Sequence, residues 1–344
     1  MADTLQHPRP VVTSVARTAA RPAERWWRRP TGRLALMTAA ALALVALYLF
    51  GDLGGNVSYL LGRRTVTVAT LVLVATAIGV STVLFHTVTA NRILTPSIMG
   101  LDSLYLALQT AAVFFLGVPA TTAAPAPLQF AVELVAMVGF SLALFWFVMS
   151  RFGRSLTLLL LVGVLLGGLF RGLSSFLQRL LTPEDFLVLS DRFFADFTGA
   201  DPALLGLSAL VVGAIVVLAW LDRHRLDVVG LGRDLALCLG VDHRRHTLVV
   251  LTGVALLVGT STALVGPTLF FGLLASHLAS RLLGTQRHAW TIPGAAVAGI
   301  VALVGGQWAF ERVLRLEGSL SMVVEFVGGI VFIALLLTGS RRTA

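Results

Sequence analysis

The sequence predicts an all-α polytopic membrane protein, and three observations support this prediction. First, 57% of its 344 residues are hydrophobic and only 12% are charged, whereas soluble domains carry about 25% charged residues. Second, the mean hydropathy is +0.89. Third, apolar stretches long enough to cross the ~30 Å hydrocarbon core of a bilayer recur along nearly the whole chain. One membrane domain therefore explains the sequence better than two soluble domains.

About ten of these stretches are long enough to be transmembrane helices, and we assign them to one domain, residues 34–340. The eighth stretch is the weakest, because it is short and contains Ser276 and His277. An even number of spans places both termini on the same side of the membrane. The predicted spans are residues 34–50, 65–87, 98–117, 128–149, 155–178, 203–221, 247–265, 267–283, 290–309 and 320–339.

The distribution of arginine indicates which side that is, because cytoplasmic segments carry an excess of basic residues. If the N-terminus is cytoplasmic, 19 of the 26 arginines fall in segments on that side. The longest outside loop, 181–202, instead carries five acids, and its Thr182 and Asp185 predict the start of a short helix. We therefore predict two cytoplasmic termini and an acidic external loop. The predicted inside segments are residues 1–33, 88–97, 150–154, 222–246, 281–289 and 340–344.

Residues 1–33 contain seven arginines with proline and alanine between them. This composition predicts a disordered cytoplasmic tail, with Trp26 and Trp27 as an anchor at the membrane interface. A cleaved signal peptide is the alternative, because a basic stretch precedes an apolar one. The tail is longer than a usual basic leader region, and no A-x-A cleavage site follows the apolar stretch, so we favour the tail.

All 26 basic residues are arginine, and the missing lysine excludes several functions. A Walker A loop needs lysine to reach nucleotide phosphates, and Schiff-base catalysis needs a lysine amine. The single cysteine, Cys238, excludes an internal disulfide and a multi-cysteine zinc site. The net charge of +9 follows from the predicted topology, so nucleic acid is not an expected partner. We predict no cofactor, no metal site and no catalytic residue in this chain.

Residues 226–246 are too polar to span the membrane, yet Leu231, Leu235 and Leu239 lie at helical spacing. This pattern predicts one or two amphipathic helices, separated by glycines, on the cytoplasmic face. Such a helix can lie in the membrane interface or dock a partner protein.

Four stretches, in the same order, resemble the FecCD-type permeases, the membrane subunits of iron-siderophore and vitamin B12 importers. The Asn-Arg-x-Leu-x-Pro sequence at 91–96 is closest to the iron-chelate branch. Two positions depart from the family pattern: Ser276 replaces the proline before His277, and Glu325 replaces a neutral polar residue. The four stretches are GVSTVLFHTVTANRILTPSIMGLDSLYLALQT (79–110), ALCLGVD (236–242), GPTLFFGLLASHLASRLLG (266–284), and VGGQWAFERV (304–313) with FVGGIVFIALLL (326–337).

The resemblance implies a type II ABC importer architecture in the cytoplasmic membrane, crossed many times by this chain and by a second permease, identical or homologous. Separate ATPase subunits would dock from the cytoplasm, and an extracytoplasmic binding protein would deliver a ferric siderophore for transport by alternating access. One alternative is a proton-coupled secondary transporter that uses Glu133 or Glu325. Another is an intramembrane enzyme, which would need a clustered polar motif that the sequence lacks.

Three groups of candidate site residues follow. The first would contact the ATPase, with an ordinary amphipathic surface helix as the alternative. The second consists of outside arginines that would bind carboxylates of the binding protein, or else snorkel or pair with Glu311 and Glu317. The third would line the pathway or a gate, although buried acids there could instead be paired or protonated. The coupling group is Arg233, Ala236, Leu239, Gly240 and Asp242; the docking group is Arg63, Arg64, Arg312 and Arg315; the pathway group is Asn91, Pro96, Asp102, Gly266, Pro267, His277, Gln307 and Glu325.

Two further features have simpler explanations. His86 and His277 are isolated histidines in apolar stretches, so we expect structural roles for them rather than metal binding. Gly163 and Gly167 have the small-x-x-x-small spacing of closely packed helices. We expect them to pack within this subunit, with a dimer seam or a gate as the alternative.

Overall fold

The computed structural model describes residues 29–51, 57–151, 156–314 and 320–340, and the regular structure of these residues is entirely helical. Most of the predicted tail therefore lies outside the described residues. A 3₁₀ turn (Pro96–Met99) precedes α3, and a π-helical turn (Ala309–Leu314) follows α12. The α-helices are α1 (Pro30–Phe50), α2 (Val57–Thr89), α3 (Leu101–Ala123), α4 (Ala126–Arg151), α5 (Leu156–Gln178), α6 (Pro183–Asp191), α7 (Pro202–Leu221), α8 (Arg223–Val229), α9 (Arg233–Cys238), α10 (His243–Val265), α11 (Phe271–Leu283), α12 (His288–Trp308) and α13 (Leu320–Ser340).

Eight of these helices are long and apolar enough to cross a membrane: α1, α2, α3, α4, α5, α7, α10 and α12. The predicted eighth span corresponds to α11, whose 13 residues extend only ~20 Å at 1.5 Å per residue. The predicted tenth span corresponds to α13, which has 21 residues (Leu320–Ser340). The predicted fold class is confirmed: in the described part of the chain, the eight spanning helices are accompanied by the short α11 and by α13.

Helix α2 runs through the centre of the bundle, and 83% of its most apolar stretch is buried by other helices. Helices α10, α11 and α12 pack around it. The contact with α12 is so close that it requires glycine. A Cβ atom on Gly79 would lie 2.8 Å from the carbonyl oxygen of Ala295, and one on Gly299 would lie 3.0 Å from that of Ala75.

Helices α3 and α5 also meet through glycine. Gly100 has a φ of +86°, which favours glycine, and it joins the 3₁₀ turn to α3. A Cβ atom on Gly163 would lie 2.9 Å from the Cα atom of Met99, and one on Gly167 would lie 3.1 Å from that of Gly100. The small-x-x-x-small spacing therefore serves packing within the subunit, as predicted.

Residues of four predicted inside segments (1–33, 88–97, 222–246 and 281–289) meet at one end of the bundle, which we call the arginine-rich end. Arg33 at the start of α1 donates a hydrogen bond to the carbonyl of Leu282 at the end of α11 (3.2 Å). Thr87 near the end of α2 lies 2.6 Å from His288 at the start of α12, which in turn bonds Asp227 of α8. The clustering agrees with assigning these segments to one side of the membrane.

Both polar loops contain the short helices that the sequence predicts. Between α7 and α10, α8 and α9 are separated by Gly232, whose φ of +97° favours glycine. In the acidic loop, the hydroxyl of Thr182 accepts a hydrogen bond from the backbone N–H of Asp185 at the start of α6. The N-terminal cap of α6 is therefore the one that its sequence indicates.

Candidate transport and coupling sites

Helix α9 exposes an apolar surface at the arginine-rich end. Leu235, Leu237 and Leu239 are 55%, 51% and 60% exposed. Ala236, between them, is fully buried and its carbonyl accepts a hydrogen bond from the N–H of Val241. Ala236 therefore packs on the inner side of α9 and does not present a surface to a partner. The leucines around it face outward.

The remaining candidate coupling residues shape the ends of α9. Arg233 begins the helix and is exposed. Gly240 turns the chain after the helix with a φ of +79°, a conformation that favours glycine. Asp242 caps α10, because its Oδ1 atom accepts from the N–H groups of Arg244 (3.1 Å) and Arg245 (3.2 Å). Behind α9, between α10 and the end of α2, lies a cavity of about 720 Å³.

The candidate docking arginines that the structure describes lie at the opposite end and differ in role. Arg64 donates to the carbonyls of Leu49 (3.0 Å) and Gly51 (2.7 Å), and Arg312 donates to that of Gly51 (3.3 Å). These two arginines therefore bind the C-terminal end of α1, where helix carbonyls lack partners. Arg63 is exposed, and Arg315 lies outside the described residues.

Glu311, in the π-helical turn, has partners that the sequence did not suggest. Its Oε1 atom accepts hydrogen bonds from the hydroxyl of Tyr48 (2.9 Å) and from the amide of Gln307 (2.6 Å). Gln307, a candidate pathway residue, is thus engaged at the end opposite the arginine-rich end. The contact ties α12 to the end of α1.

Four of the candidate pathway residues lie near the interruption between α10 and α11. Gly266, with a φ of +101°, ends α10, and Pro267 follows in the non-helical stretch before Phe271. Glu325 of α13 borders a narrow space beside Thr268. One carboxylate oxygen of Glu325 and one of Asp102 are buried without a hydrogen-bond partner among the described residues.

Three other candidates lie toward the arginine-rich end. The side-chain oxygen of Asn91 accepts from the N–H of Ile93 and so stabilises a turn. Pro96 begins the buried 3₁₀ turn. The ring of His277 faces that of His86 edge-on, with centroids 6.0 Å apart. The eight pathway candidates are therefore spread over three depths instead of forming one site.

A partly buried network around Glu133 was not predicted from the sequence, which indicated this residue alone. The amide of Gln109 donates to Glu133 (2.6 Å), and Arg192 donates to the amide oxygen of Gln109 (2.8 Å). The three residues come from α3, α4 and the segment after α6. The only sequence signal was the presence of Gln109 in an apolar stretch, which does not reveal its partners.

The line of residues Asp227, His288 and Thr87 was also missed. The ring Nδ1 of His288 lies 2.6 Å from Asp227, and its Nε2 lies 2.6 Å from the hydroxyl of Thr87. The residues are far apart in sequence, and each sits at a helix end, where polar residues are common. Their proximity is therefore visible only in the folded chain.

An apolar helical bundle with partly buried polar clusters and an exposed apolar surface at one end is typical of a membrane transport protein. Comparison with known families identifies it further: residues 34–338 match the model of the FecCD transport family. The chain belongs to this family, which confirms the resemblance predicted from the sequence.

Individual relatives support the assignment. The chain is 42% identical over 309 residues to the petrobactin import system permease protein YclO of Bacillus subtilis (strain 168), covering 90% of this chain and 98% of that protein. It is 34% identical to the petrobactin import system permease protein FatC of Bacillus anthracis, covering 80% and 78% of the two chains. A metal-chelate type ABC transporter in an inward-facing conformation superposes with a TM-score of 0.76 at 21% identity, covering 90% and 99%. At that identity, the structural likeness shows the fold alone.

Proposed function

We propose that this chain is the membrane-spanning permease subunit of an ABC importer that carries ferric siderophores across the cytoplasmic membrane by alternating access. The observation that carries the proposal is the 42% identity to a petrobactin import permease over 98% of that protein. A proton-coupled secondary transporter is less well supported, because the relatives that the chain matches at 34–42% identity are petrobactin import permeases.

The proposed orientation places the arginine-rich end in the cytoplasm. Basic residues are enriched on the cytoplasmic side, and residues of four predicted inside segments converge on this end. The Arg-rich tail 1–33 and the C-terminus would then be cytoplasmic. The acidic loop 181–202, with α6, would face the outside.

The proposed energy source is a separate ATPase that docks on the segment 226–246. The exposed leucines of α9 supply an apolar surface for docking in a groove, and Arg233, Leu239, Gly240 and Asp242 border it. Ala236 would act indirectly by holding α9 in place. This division of labour agrees with the lack of lysine in the chain, since a Walker A loop needs one.

The proposed partners at the outer end are an extracytoplasmic siderophore-binding protein and, alongside in the membrane, a second permease subunit. Arg63 is the docking candidate best placed for a carboxylate of the binding protein, because it is exposed. Arg64 and Arg312 would shape the surface around it, and Arg315 would add charge. Glu325, Asp102 and the interruption at Gly266 and Pro267 remain the candidates for the wall of the pathway.

Uptake of labelled ferric siderophores tests the proposal. In a strain that lacks the gene, we expect accumulation of at least one ferric siderophore to be lost and to return when the gene is restored. Ferric petrobactin is the first chelate to test, with ferric enterobactin and cobalamin compared in parallel. Unchanged accumulation of every ferric chelate in the deletion strain would contradict the assignment of substrate class.

A further inference from the structure

A single line of hydrogen bonds ties the short helix α8 to two transmembrane helices. Asp227 of α8 accepts from the backbone N–H of His288 (2.9 Å) and from its ring Nδ1 (2.6 Å). The ring Nε2 lies 2.6 Å from the hydroxyl of Thr87. Side chains from α8, α12 and α2 are thereby connected through one imidazole.

The acceptor at one end of this line determines where one ring proton lies. A carboxylate only accepts, so the Nδ1 atom of His288 donates to Asp227. The hydroxyl of Thr87 lies within reach of both Nε2 (2.6 Å) and the carbonyl of Val83 (2.9 Å), and a hydroxyl can both donate and accept. A hydrogen bond to a carboxylate is charge-assisted, and it is stronger than one between neutral groups.

The surroundings strengthen this link. His288 is only 7% exposed, and a partly desolvated hydrogen bond is electrostatically stronger than one in water. The line runs along one wall of a cavity of about 630 Å³ at the arginine-rich end. Arg92 and Arg281 also border this cavity, so the carboxylate of Asp227 lies in a positively charged environment.

The other contacts of α8 are less directional than the hydrogen bonds of Asp227. Leu226 and Val229 are buried, but apolar packing of this sort is not directional. At the start of α8, the ring of His246 in α10 lies 2.9 Å from Asp222, without the geometry of a hydrogen bond. Among the side-chain hydrogen bonds of α8 in the described structure, those of Asp227 are the ones that lead to the central helix α2.

We propose that Asp227, His288 and Thr87 form the link through which a displacement of α8 is passed to α12 and α2 during transport. The proposal rests on the proposed function, because it takes the segment around α8 and α9 as the place where the ATPase acts. The three residues are positioning residues, since they act through the helices they connect and not through contact with the siderophore.

The test uses the complete transporter, with its ATPase and second permease, reconstituted in vesicles with its binding protein and ferric petrobactin as the probe. The quantity measured is the amount of chelate transported per ATP hydrolysed. For Thr87→Val and Asp227→Asn we expect ATPase association and hydrolysis to persist. Transport per ATP should fall roughly tenfold, because Thr87→Val removes the hydrogen bond to the ring and Asp227→Asn replaces a charge-assisted bond with a weaker neutral one.

Two variants serve as controls. Thr87→Ser keeps the hydroxyl, so its transport per ATP should match that of the unaltered protein. His224→Gln changes an exposed histidine on the same helix and should also have no effect. A purely structural role would reduce the amount of assembled transporter while leaving transport per ATP unchanged.

The proposed link would be overturned if Thr87→Val and Asp227→Asn both reduced the amount of assembled transporter but left transport per ATP unchanged. A different result would overturn the proposed function instead: an unaltered transporter that moves the chelate without ATP, or does not move it at all. The experiment therefore separates failure of the link from failure of the function on which it depends.

Discussion

At the scale of single residues, two adjacent arginines with the same chemistry have different surroundings. Consecutive residues of a helix point about 100° apart, because there are 3.6 residues per turn. Arg64 is thereby directed to the carbonyls that end α1, whereas Arg63 is exposed. The sequence predicts that both arginines lie at the outer end. It does not show which of them binds the end of α1 and which is exposed.

Arg64→Gln should destabilise the permease, because it removes charge-assisted hydrogen bonds worth about 1.5–3 kcal/mol from the end of α1. We expect a lower thermal denaturation midpoint for the purified protein in detergent. Arg63→Gln is the matched control, and it should leave the midpoint unchanged while weakening affinity for the binding protein. Equal loss of stability in the two variants would contradict these roles.

Gly79→Ala should also destabilise the fold, because the added Cβ atom would lie 2.8 Å from the carbonyl oxygen of Ala295. Overpacking of this kind typically costs about 1–3 kcal/mol. Gly168→Ala provides the comparison, since a Cβ atom there meets nothing within 4 Å. The same denaturation measurement checks both, and a Gly79 variant as stable as the Gly168 variant would show that α2 and α12 can separate without cost.

At the scale of elements, α8 and α9 show what a helical pattern in a polar segment does and does not predict. The spacing of Leu231, Leu235 and Leu239 predicts helix, and the structure places these leucines on the surface. The residues that hold the segment to the bundle, Leu226 and Val229, are not distinguished by that pattern. Their burial depends on the ends of α2 and α12, which are distant in sequence.

Leu239→Asp should prevent the ATPase from docking, because it places a charge in an apolar contact surface. We expect the permease to fold normally and the ATPase to co-purify with it at a small fraction of the usual yield. Leu187→Asp is the matched control: Leu187 is a similarly exposed leucine on α6, at the predicted outer face. Undiminished co-purification with the Leu239 variant would remove α9 from the proposed interface.

At the scale of the whole molecule, hydropathy predicted most of the architecture, because each membrane-crossing helix must satisfy its own backbone hydrogen bonds and cover itself with apolar side chains. It did not predict where α11 starts. The apolar stretch continues through Gly266 and Pro267, but the chain is not helical there. Gly266 has a positive φ, which interrupts the helix. The loop after α6 also packs at this point, where the N–H of Asp196 donates to the carbonyl of Val265 (2.8 Å).

The candidate site was predicted less completely than the fold. Composition and resemblance indicated which segments matter, and Glu133 was singled out as a candidate proton site of the alternative transporter. Its partners Gln109 and Arg192 were not, since hydrogen bonds between distant segments leave no periodic signal in a sequence. The same reason hid the contact of His288 with Asp227.

The orientation of the whole molecule can be tested with its single cysteine, Cys238, which is exposed on α9. In inside-out membrane vesicles, a membrane-impermeant maleimide should label it, and in right-side-out vesicles it should not. The reverse pattern is expected for Leu187→Cys in a Cys238→Ser background. Labelling of Cys238 from the outside would invert the proposed topology.

In the proposed function, this chain provides a pathway but no energy source. The most direct test of this is accumulation of labelled ferric petrobactin by sealed vesicles that contain the permease pair and the binding protein, with and without the ATPase subunits. We expect accumulation only when the ATPase subunits and ATP are both present on the side of the membrane where α8 and α9 lie. Sustained accumulation by the permease pair alone, driven by a proton gradient, would contradict it.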